Sequence, residues 1–338
     1  MRYRSLGNTG LRLSEIGFGC GDNAGLMIAG MLAEQCRVAS RALELGINYF
    51  DTAAGYGSTR SEETLGRVLK EISARPIINT KVEITLEQTT DVASAVVASV
   101  EASLRRLQLD QVDIVEIHNS PVHQRPTQFS GWLPMLLNEF LGPSGALEGL
   151  RRLHTDGKVR FFGLVNERPD VDLARTLIDT GEFSIINVQY NLLNPSAGMP
   201  VPSGLEVPLD NGDMISYAAD HGVGVAIFSP LARGVLTQKS IADGSRHPLA
   251  GEGILRDRQA YEAQLARGRA LTFLANERRT LSQAAIRFIL MHPGVTTVLG
   301  GFSAMEHLEE MVQAPDMPAL SHDEMDRVGQ LWGSNFAS

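Results

Sequence analysis

Residues 47–57 read INYFDTAAGYG, and this stretch joins a predicted strand to a set of polar side chains. The run 47–50 is short and rich in β-branched and aromatic residues, which is typical of a buried parallel strand. It ends on a carboxylate, Asp51, and small residues then lead to an isolated tyrosine, Tyr56. What these polar residues do depends on how such strands recur along the chain.

Eight apolar runs of this kind recur along the 338 residues, and most are followed by a segment with helical periodicity. The helical segment 33–46 is expected to end at Gly46, and the segment 91–109 begins with Asp91 as a favourable N-cap. Alternating strands and helices without a Pro/Ser-rich linker predict one closed (β/α)8 TIM barrel, a single domain over residues 1–338. The predicted strands cover 15–19, 47–50, 76–81, 112–118, 159–165, 183–190, 222–228 and 295–301. Further helices are predicted at 144–158 and 282–294, and the long loops 119–143, 191–213 and 235–258 are expected to be functional or mobile.

Composition and charge limit the partners that we expect. A net charge of −9 and a pI of about 5.4 argue against a nucleic-acid-binding surface. No apolar run reaches the ~18 residues that a membrane helix needs, and the N-terminus lacks the apolar region of a signal peptide. Cys20 and Cys36 lie in unrelated contexts without metal-ligand spacing, so we expect reduced thiols, no metal site and a cytoplasmic protein.

The barrel gives the polar residues after the strands a common location, because barrel enzymes place their chemistry at the C-terminal ends of the strands. The second, third and fourth strands end at Asp51, Lys81 and His118, and Tyr56 follows the second. The charge of Lys81 is expected to lower the pKa of Tyr56 below its usual ~10, while Asp51 orients the lysine. Tyr56 would then act as a general acid or base, and a neutral His118 would orient a carbonyl or hydroxyl oxygen.

Each of these residues alone has a more ordinary explanation. A single strand-end aspartate is usually a helix cap, a single lysine is usually solvated, and a single histidine is more often structural. At three successive strand ends, chance becomes a poor account, and the sequence favours an active site.

The segment GINYFDTAAGYGSTRSEETLG, residues 46–66, closely resembles the signature of the aldo-keto reductase superfamily. Lys81 and His118 stand where that family has its lysine and histidine. The resemblance extends over nearly the whole chain through segments 157–166, 188–193, 228–237 and 282–301. It implies a (β/α)8 barrel that binds a nicotinamide cofactor, NAD(P)(H), without a Rossmann domain. The chain indeed lacks a strand–GxGxxG–helix fingerprint.

The resemblance assigns roles residue by residue. Asp51, Tyr56, Lys81 and His118 become the catalytic tetrad, with Tyr56 as the acid in reduction and the base in oxidation. Asn166 and Gln189 match carboxamide-binding positions, Phe228 stacks on the nicotinamide, and Ser229, Leu231, Arg233 and Gly234 match the pyrophosphate loop. Gly301, Ser303, His307 and Glu310 match the adenosine end of the site. Because segment 300–311 contains no Lys or Arg for a 2′-phosphate, NAD(H) is expected to be used comparably with NADP(H) or better.

The predicted activity is interconversion of a carbonyl and the matching alcohol by hydride transfer. The substrate is an aldehyde, a ketone or a sugar hemiacetal oxidised to a lactone. Trp132 is a candidate substrate contact, and Leu26 and Met27 either line the pocket or pack under a lid. One alternative is a cofactor-bound redox-sensing accessory subunit with little turnover. Another is a metal-dependent hydrolase barrel, which needs several His, Asp or Glu ligands at strand ends, where only one His is found.

Overall fold

A computed structural model describes residues 1–22, 25–129, 131–167, 170–243 and 257–337 of the chain. Within these ranges, eight parallel strands form a closed barrel in chain order, and the eighth strand pairs with the first through Val298 and Ile16. The predicted (β/α)8 TIM barrel is therefore confirmed. The barrel strands are Ile16–Gly19, Tyr49–Asp51, Ile77–Val82, Val112–Ile117, Val159–Asn166, Phe183–Gln189, Gly224–Phe228 and Thr297–Gly301.

The observed strand ends lie within two residues of the predicted ones. The second strand begins at Tyr49 because Ile47 still belongs to the end of the preceding helix. The Ile47 N–H donates to the Ala42 carbonyl at 2.9 Å, and Gly46 adopts a left-handed φ of 91°. Gly46 thus ends this helix as predicted, in the conformation that glycine adopts most readily.

Helices surround the barrel and follow the predicted pattern. The helix Val92–Leu107 begins with the predicted cap, since the Asp91 side chain accepts from the Ser94 N–H at 3.1 Å. None of the helices within the described ranges is both long and apolar enough to span a membrane. The helices are Leu26–Ala29, Leu32–Glu44, Arg60–Glu71, Val92–Leu107, Leu137–Leu141, Ala146–Thr155, Val171–Asp179, Met214–Asp220, Gln238–Asp243, Arg258–Ala270, Leu281–Met291, Met305–Met311 and His322–Gly333.

Strand side chains alternate between two cores, one inside the barrel and one between the barrel and the helices. In the second strand, Tyr49 packs in the interior cluster, whereas Phe50 packs in the outer core and stacks on Phe18 at a centroid distance of 4.8 Å. Because the side-chain period is two, Asp51 returns to the interior side. The strand therefore delivers its terminal carboxylate into the mouth of the barrel.

An antiparallel hairpin, Tyr3–Ser5 with Arg12–Ser14, covers the N-terminal end of the barrel, opposite the predicted site. Its buried Leu6 and Leu13 join the interior cluster. The hairpin turn lies against Gly222, which precedes the seventh strand. Gly7 has a φ of 45°, and a Cβ there would lie 2.1 Å from the Gly222 carbonyl oxygen. Only glycine permits this close approach without rearrangement.

The long segments predicted as loops contain structure of their own. Segment 119–143 holds a short parallel strand pair, Pro121–Val122 with Met135–Leu136, followed by the helix Leu137–Leu141. Segment 235–258 contains the helix Gln238–Asp243, and residues 244–256 lie outside the described ranges.

Candidate active site

The four predicted tetrad residues meet at the C-terminal rim of the barrel. The Lys81 Nζ atom donates to Asp51 Oδ1 at 2.5 Å and to the Thr52 carbonyl at 2.9 Å, and both side chains of this ion pair are buried. Lys81 Nζ lies 4.8 Å from the centroid of the Tyr56 ring. The edge-on contact between Tyr56 and His118 has a centroid distance of 5.8 Å. The barrel thus brings together four residues that are far apart in the sequence.

Two asparagines that the sequence analysis missed hold Asp51 in place. Asn79 Nδ2 donates to Asp51 Oδ2 at 2.8 Å, and Asn187 Nδ2 donates to the same oxygen at 3.3 Å. A buried ion pair is stable only when its remaining lone pairs are satisfied, and these amides meet that requirement. Asn79 lies two residues before Lys81 in the same strand, so the period-two rule could have indicated it.

Tyr56 differs from the prediction in its protonation. Burial raises the pKa of Tyr56 above its ordinary value, and Lys81, which lowers this pKa, does not overcome that effect. The expectation of a net lowering was therefore wrong, because the extent of desolvation is set by the tertiary structure. Without bound cofactor or substrate, Tyr56 is a neutral phenol and carries the proton that it can donate.

His118 is a neutral imidazole, as predicted. Burial lowers its pKa well below the ordinary value, and the charge of Lys81 adds to this effect. Its Nδ1 atom lies 2.9 Å from Oε1 of Glu83, a residue that the sequence analysis did not single out. The ring of Trp132 lies on the imidazole with a centroid distance of 4.9 Å and an angle of 34°. Trp132 is therefore placed directly beside the tetrad.

A small cavity of about 130 Å³ adjoins this aromatic ring. Segment 119–143 supplies most of its wall, which mixes apolar and polar groups. The lining residues are Ser120, Val122, Pro126, Trp132, Pro134 and Glu167. Leu26 and Met27 do not line this cavity, because they are only 4% and 1% exposed and pack in the outer core.

Comparison with known proteins identifies the family. A sequence profile of the Aldo/keto reductase family matches residues 15–332. The chain belongs to this family. It is 31% identical to L-galactose dehydrogenase of Arabidopsis thaliana over 333 residues, which cover 96% of this chain and 91% of that protein. It is 29% identical to L-glyceraldehyde 3-phosphate reductase of Escherichia coli (strain K12) over 355 residues, which cover 98% and 92%. The holo form of aldo-keto reductase AKR11C1 from Bacillus halodurans has a TM-score of 0.71 and 26% identity, with 98% of this chain and 96% of that chain covered.

As an aldo-keto reductase, the protein is an oxidoreductase that uses NAD(P)(H) and acts on small carbonyl compounds. The metal-dependent hydrolase alternative is set aside by this membership. Because the family binds a nicotinamide cofactor, rim residues outside the tetrad are expected to contact that cofactor.

Residues at the ends of the fifth, sixth and seventh strands fit the nicotinamide end of this cofactor. Asn166 is only 2% exposed, and neither its Nδ2 nor its Oδ1 has a hydrogen-bond partner within the described ranges. Buried amides are rarely left unpaired, so a carboxamide ligand would complete this site. Gln189 and Phe228 are paired in register on adjacent strands and are half-buried. The predicted carboxamide and stacking residues are thus neighbours.

The segment after the seventh strand has a backbone conformation that can bind an anion. Ser229, Ala232 and Arg233 adopt φ values of 51°, 48° and 56°, and Gly234 adopts 88°. Left-handed non-glycine residues cluster at functional sites, and successive N–H groups in such turns can cradle anions. The segment therefore suits the pyrophosphate that Ser229, Leu231, Arg233 and Gly234 are predicted to bind.

The residues predicted for the adenosine end follow the eighth strand. Gly301 is exposed at the end of that strand, and Ser303 Oγ lies 2.9 Å from His307 Nδ1. Glu310 instead accepts a hydrogen bond from Thr280 Oγ1 at 2.5 Å, at the N-cap of the helix Leu281–Met291. Ser303 and His307 are therefore brought together, while Glu310 is also engaged by the protein.

Proposed function

We propose that this protein interconverts the carbonyl and alcohol forms of a small, uncharged, hydroxylated substrate, including the hemiacetal and lactone of a sugar. The carrying observation is the edge-on contact of the neutral Tyr56 phenol with His118, beside a cavity that Trp132 lines. In the proposed reaction, Tyr56 and His118 act on the same substrate oxygen, as a proton donor and an orienting imidazole.

Each tetrad residue has a part in this chemistry. A bound nicotinamide supplies the hydride to the substrate carbon or accepts it. Tyr56 gives its phenolic proton to the substrate oxygen in reduction and takes one back in oxidation. Lys81 favours the phenolate that this transfer produces, and Asp51 keeps the lysine charged and in position. His118 fixes the direction of the substrate oxygen.

The proposed substrate class rests on the cavity and on the relatives. Two of the relatives are named for L-galactose and for L-glyceraldehyde 3-phosphate, which are both hydroxylated. The cavity lies on Trp132, whose ring contacts His118, and a flat aromatic face suits the C–H face of a sugar. Glu167 in its wall disfavours a phosphate group by like-charge repulsion. We therefore favour an uncharged sugar or hydroxyaldehyde over its phosphate ester.

The test is steady-state kinetics in both directions with both cofactors. The panel contains free aldoses, their phosphate esters, and aliphatic and aromatic aldehydes of matched size. We expect multiple turnovers and the highest kcat/KM on an uncharged hydroxylated substrate. Higher kcat/KM on the phosphate esters would contradict the proposed class. Single-turnover oxidation of bound cofactor across the whole panel would favour the accessory-subunit alternative instead.

A further inference from the structure

Glu83 touches the active site, yet the roles described above give it no function. It follows Lys81 by two residues, just after the third strand, and its carboxylate meets His118 Nδ1 at 2.9 Å. The Glu83 and His118 side chains are only 15% and 6% exposed. Gly55 makes room for this contact, since a Cβ there would lie 2.3 Å from both Glu83 carboxylate oxygens and 2.5 Å from Trp132. The pair is therefore a packed part of the site.

We propose that Glu83 is a positioning residue that decides whether His118 offers the substrate oxygen a hydrogen-bond donor or an acceptor. The protonated Glu83–His118 pair then serves carbonyl reduction, and the deprotonated pair serves alcohol oxidation. This inference rests on the proposed function of the same site.

The hydrogen-bonding rules of the two side chains carry the argument. An extra proton that lies between the Glu83 carboxylate and Nδ1 of His118 leaves a hydrogen on Nε2, whichever of the two groups carries it. Either a protonated Glu83 donates to Nδ1, which leaves the ring hydrogen on Nε2, or the ring is an imidazolium. Without that proton, the Glu83 carboxylate only accepts, so Nδ1 keeps the ring hydrogen and Nε2 presents a lone pair. A carbonyl oxygen needs the donor, and an alcohol hydroxyl can use the acceptor.

The proton balance of the reaction agrees with these two states. In reduction, the hydride adds to the carbonyl carbon, the π pair moves to oxygen, and the oxygen takes one proton. Tyr56 gives that proton and is reprotonated from His118 Nε2 through the new hydroxyl, so the pair loses one proton overall. Oxidation is the reverse, and the pair gains the hydroxyl proton. The protonated pair is thus consumed by reduction and restored by oxidation.

The groups around the pair place its titration near neutral pH. Burial raises the pKa of Glu83 to about 7; the Gly55 backbone and Lys81 lower it, while Glu62 and Asp22 raise it. Lys81 comes from the third strand, Glu62 from the helix Arg60–Glu71, and Asp22 from the segment after the first strand. Trp132, which lies on the imidazole, carries no charge. A titration near neutrality lets both states be populated under ordinary conditions.

The first test is the pH dependence of kcat/KM for reduction between pH 5.5 and 9. For the wild type we expect a plateau at low pH and a fall of about tenfold per pH unit above the pKa of the pair. Glu83→Gln should remove this fall, because the amide does not ionise and can either donate to Nδ1 or accept from it. At pH 9 the variant should therefore exceed the wild type by at least about tenfold. Glu101→Gln, the same change on an outer helix, should keep the wild-type profile.

A second readout does not depend on turnover. The ¹⁵N shifts of His118, assigned by their loss in His118→Gln, report which ring nitrogen bears hydrogen in the cofactor-free protein. We expect hydrogen on Nε2 below pH 6 and only on Nδ1 above pH 8 in the wild type, and no such change in Glu83→Gln. Hydrogen that stays on Nε2 at pH 8.5 in the wild type would overturn the inference, as would an unchanged alkaline fall in Glu83→Gln. A tautomer change in a protein that reduces no carbonyl compound would refute the proposed function and leave the role of Glu83 intact.

Discussion

Glu116 provides a quantitative test of burial inside the barrel. It lies on the fourth strand, in register with Lys81 of the third strand, and is fully buried. Neither carboxyl oxygen has a donor at hydrogen-bonding geometry within the described ranges, although Asn79 is near enough to favour the charged form weakly. Burial raises the pKa of Glu116 to about 8, and Lys81 offsets this only in part. We expect Glu116→Gln to stabilise the protein near neutral pH.

The magnitude follows from the difference between the two states. Because its folded pKa is raised, the folded protein keeps a proton that the unfolded chain releases between pH 4.5 and about 8. The contribution of Glu116 to the stability of the wild type therefore falls by about 1.4 kcal/mol per pH unit in that window, or about 3 kcal/mol between pH 5 and pH 7. For a chain of 338 residues, this corresponds to about 4 °C in Tm.

The assay is thermal unfolding of both proteins from pH 5 to pH 8, with the Tm difference as the readout. This difference should be near zero at pH 5, grow by roughly 4 °C toward pH 7, and level off above pH 8. Glu101→Gln serves as the control, because its pKa is lowered by Lys158 and its charge does not change in this range. A Glu116→Gln variant that is less stable than the wild type at pH 8 would refute the reasoning. It would show that Glu116 is ionised and stabilised by Lys81.

Three further predictions concern the chemistry. Tyr56→Phe should keep cofactor affinity, measured by fluorescence titration, but lose at least ~10²-fold in kcat. The control Tyr217→Phe, on an outer helix, should keep the wild-type kcat. A near wild-type kcat in Tyr56→Phe would rule out the proton-transfer role. Lys81→Met should lower kcat and move the alkaline fall in reduction to higher pH, because the lysine charge lowers the pKa of both Tyr56 and Glu83; an unchanged profile in the folded variant would give the lysine another role. Because segment 300–311 contains no Lys or Arg for a 2′-phosphate, kcat/KM for NADH should equal or exceed that for NADPH, and a hundredfold preference for NADPH would contradict this.

The sequence predicted the barrel and the tetrad because both depend on local information. A strand is visible in a short apolar run, and the barrel rule places every strand end at the same rim. Asp51, Lys81 and His118 could therefore be grouped without knowing any contact. The start of the second strand was placed two residues early, since the turn at Gly46 keeps Ile47 bonded to the preceding helix.

Glu83, Glu116 and Trp132 show where this information ends. Glu83 lies two residues after Lys81 and Glu116 lies two residues before His118, so their side of the barrel could be inferred from the side-chain period of two. Their partners could not, because the contact of Glu83 with His118 depends on the shape of the Gly55 turn. Trp132 belongs to a segment whose path over the rim is set by its own short strand pair. Packing between distant segments decides these three positions.

Desolvation explains both why the predicted lowering of the Tyr56 pKa was wrong and why Glu83 can have the proposed role. It holds Tyr56 and His118 neutral and brings the pKa of Glu83 to about 7, while Asp51 and Lys81 form a buried ion pair. Residue types alone suggest a rim whose charges activate a phenolate. The folded rim instead keeps one fixed ion pair among groups that burial makes neutral. In such a site, the proton that reduction consumes must come from a neutral donor that can be protonated again near neutral pH. Among the described residues around His118, Glu83 has the position and the pKa for that role.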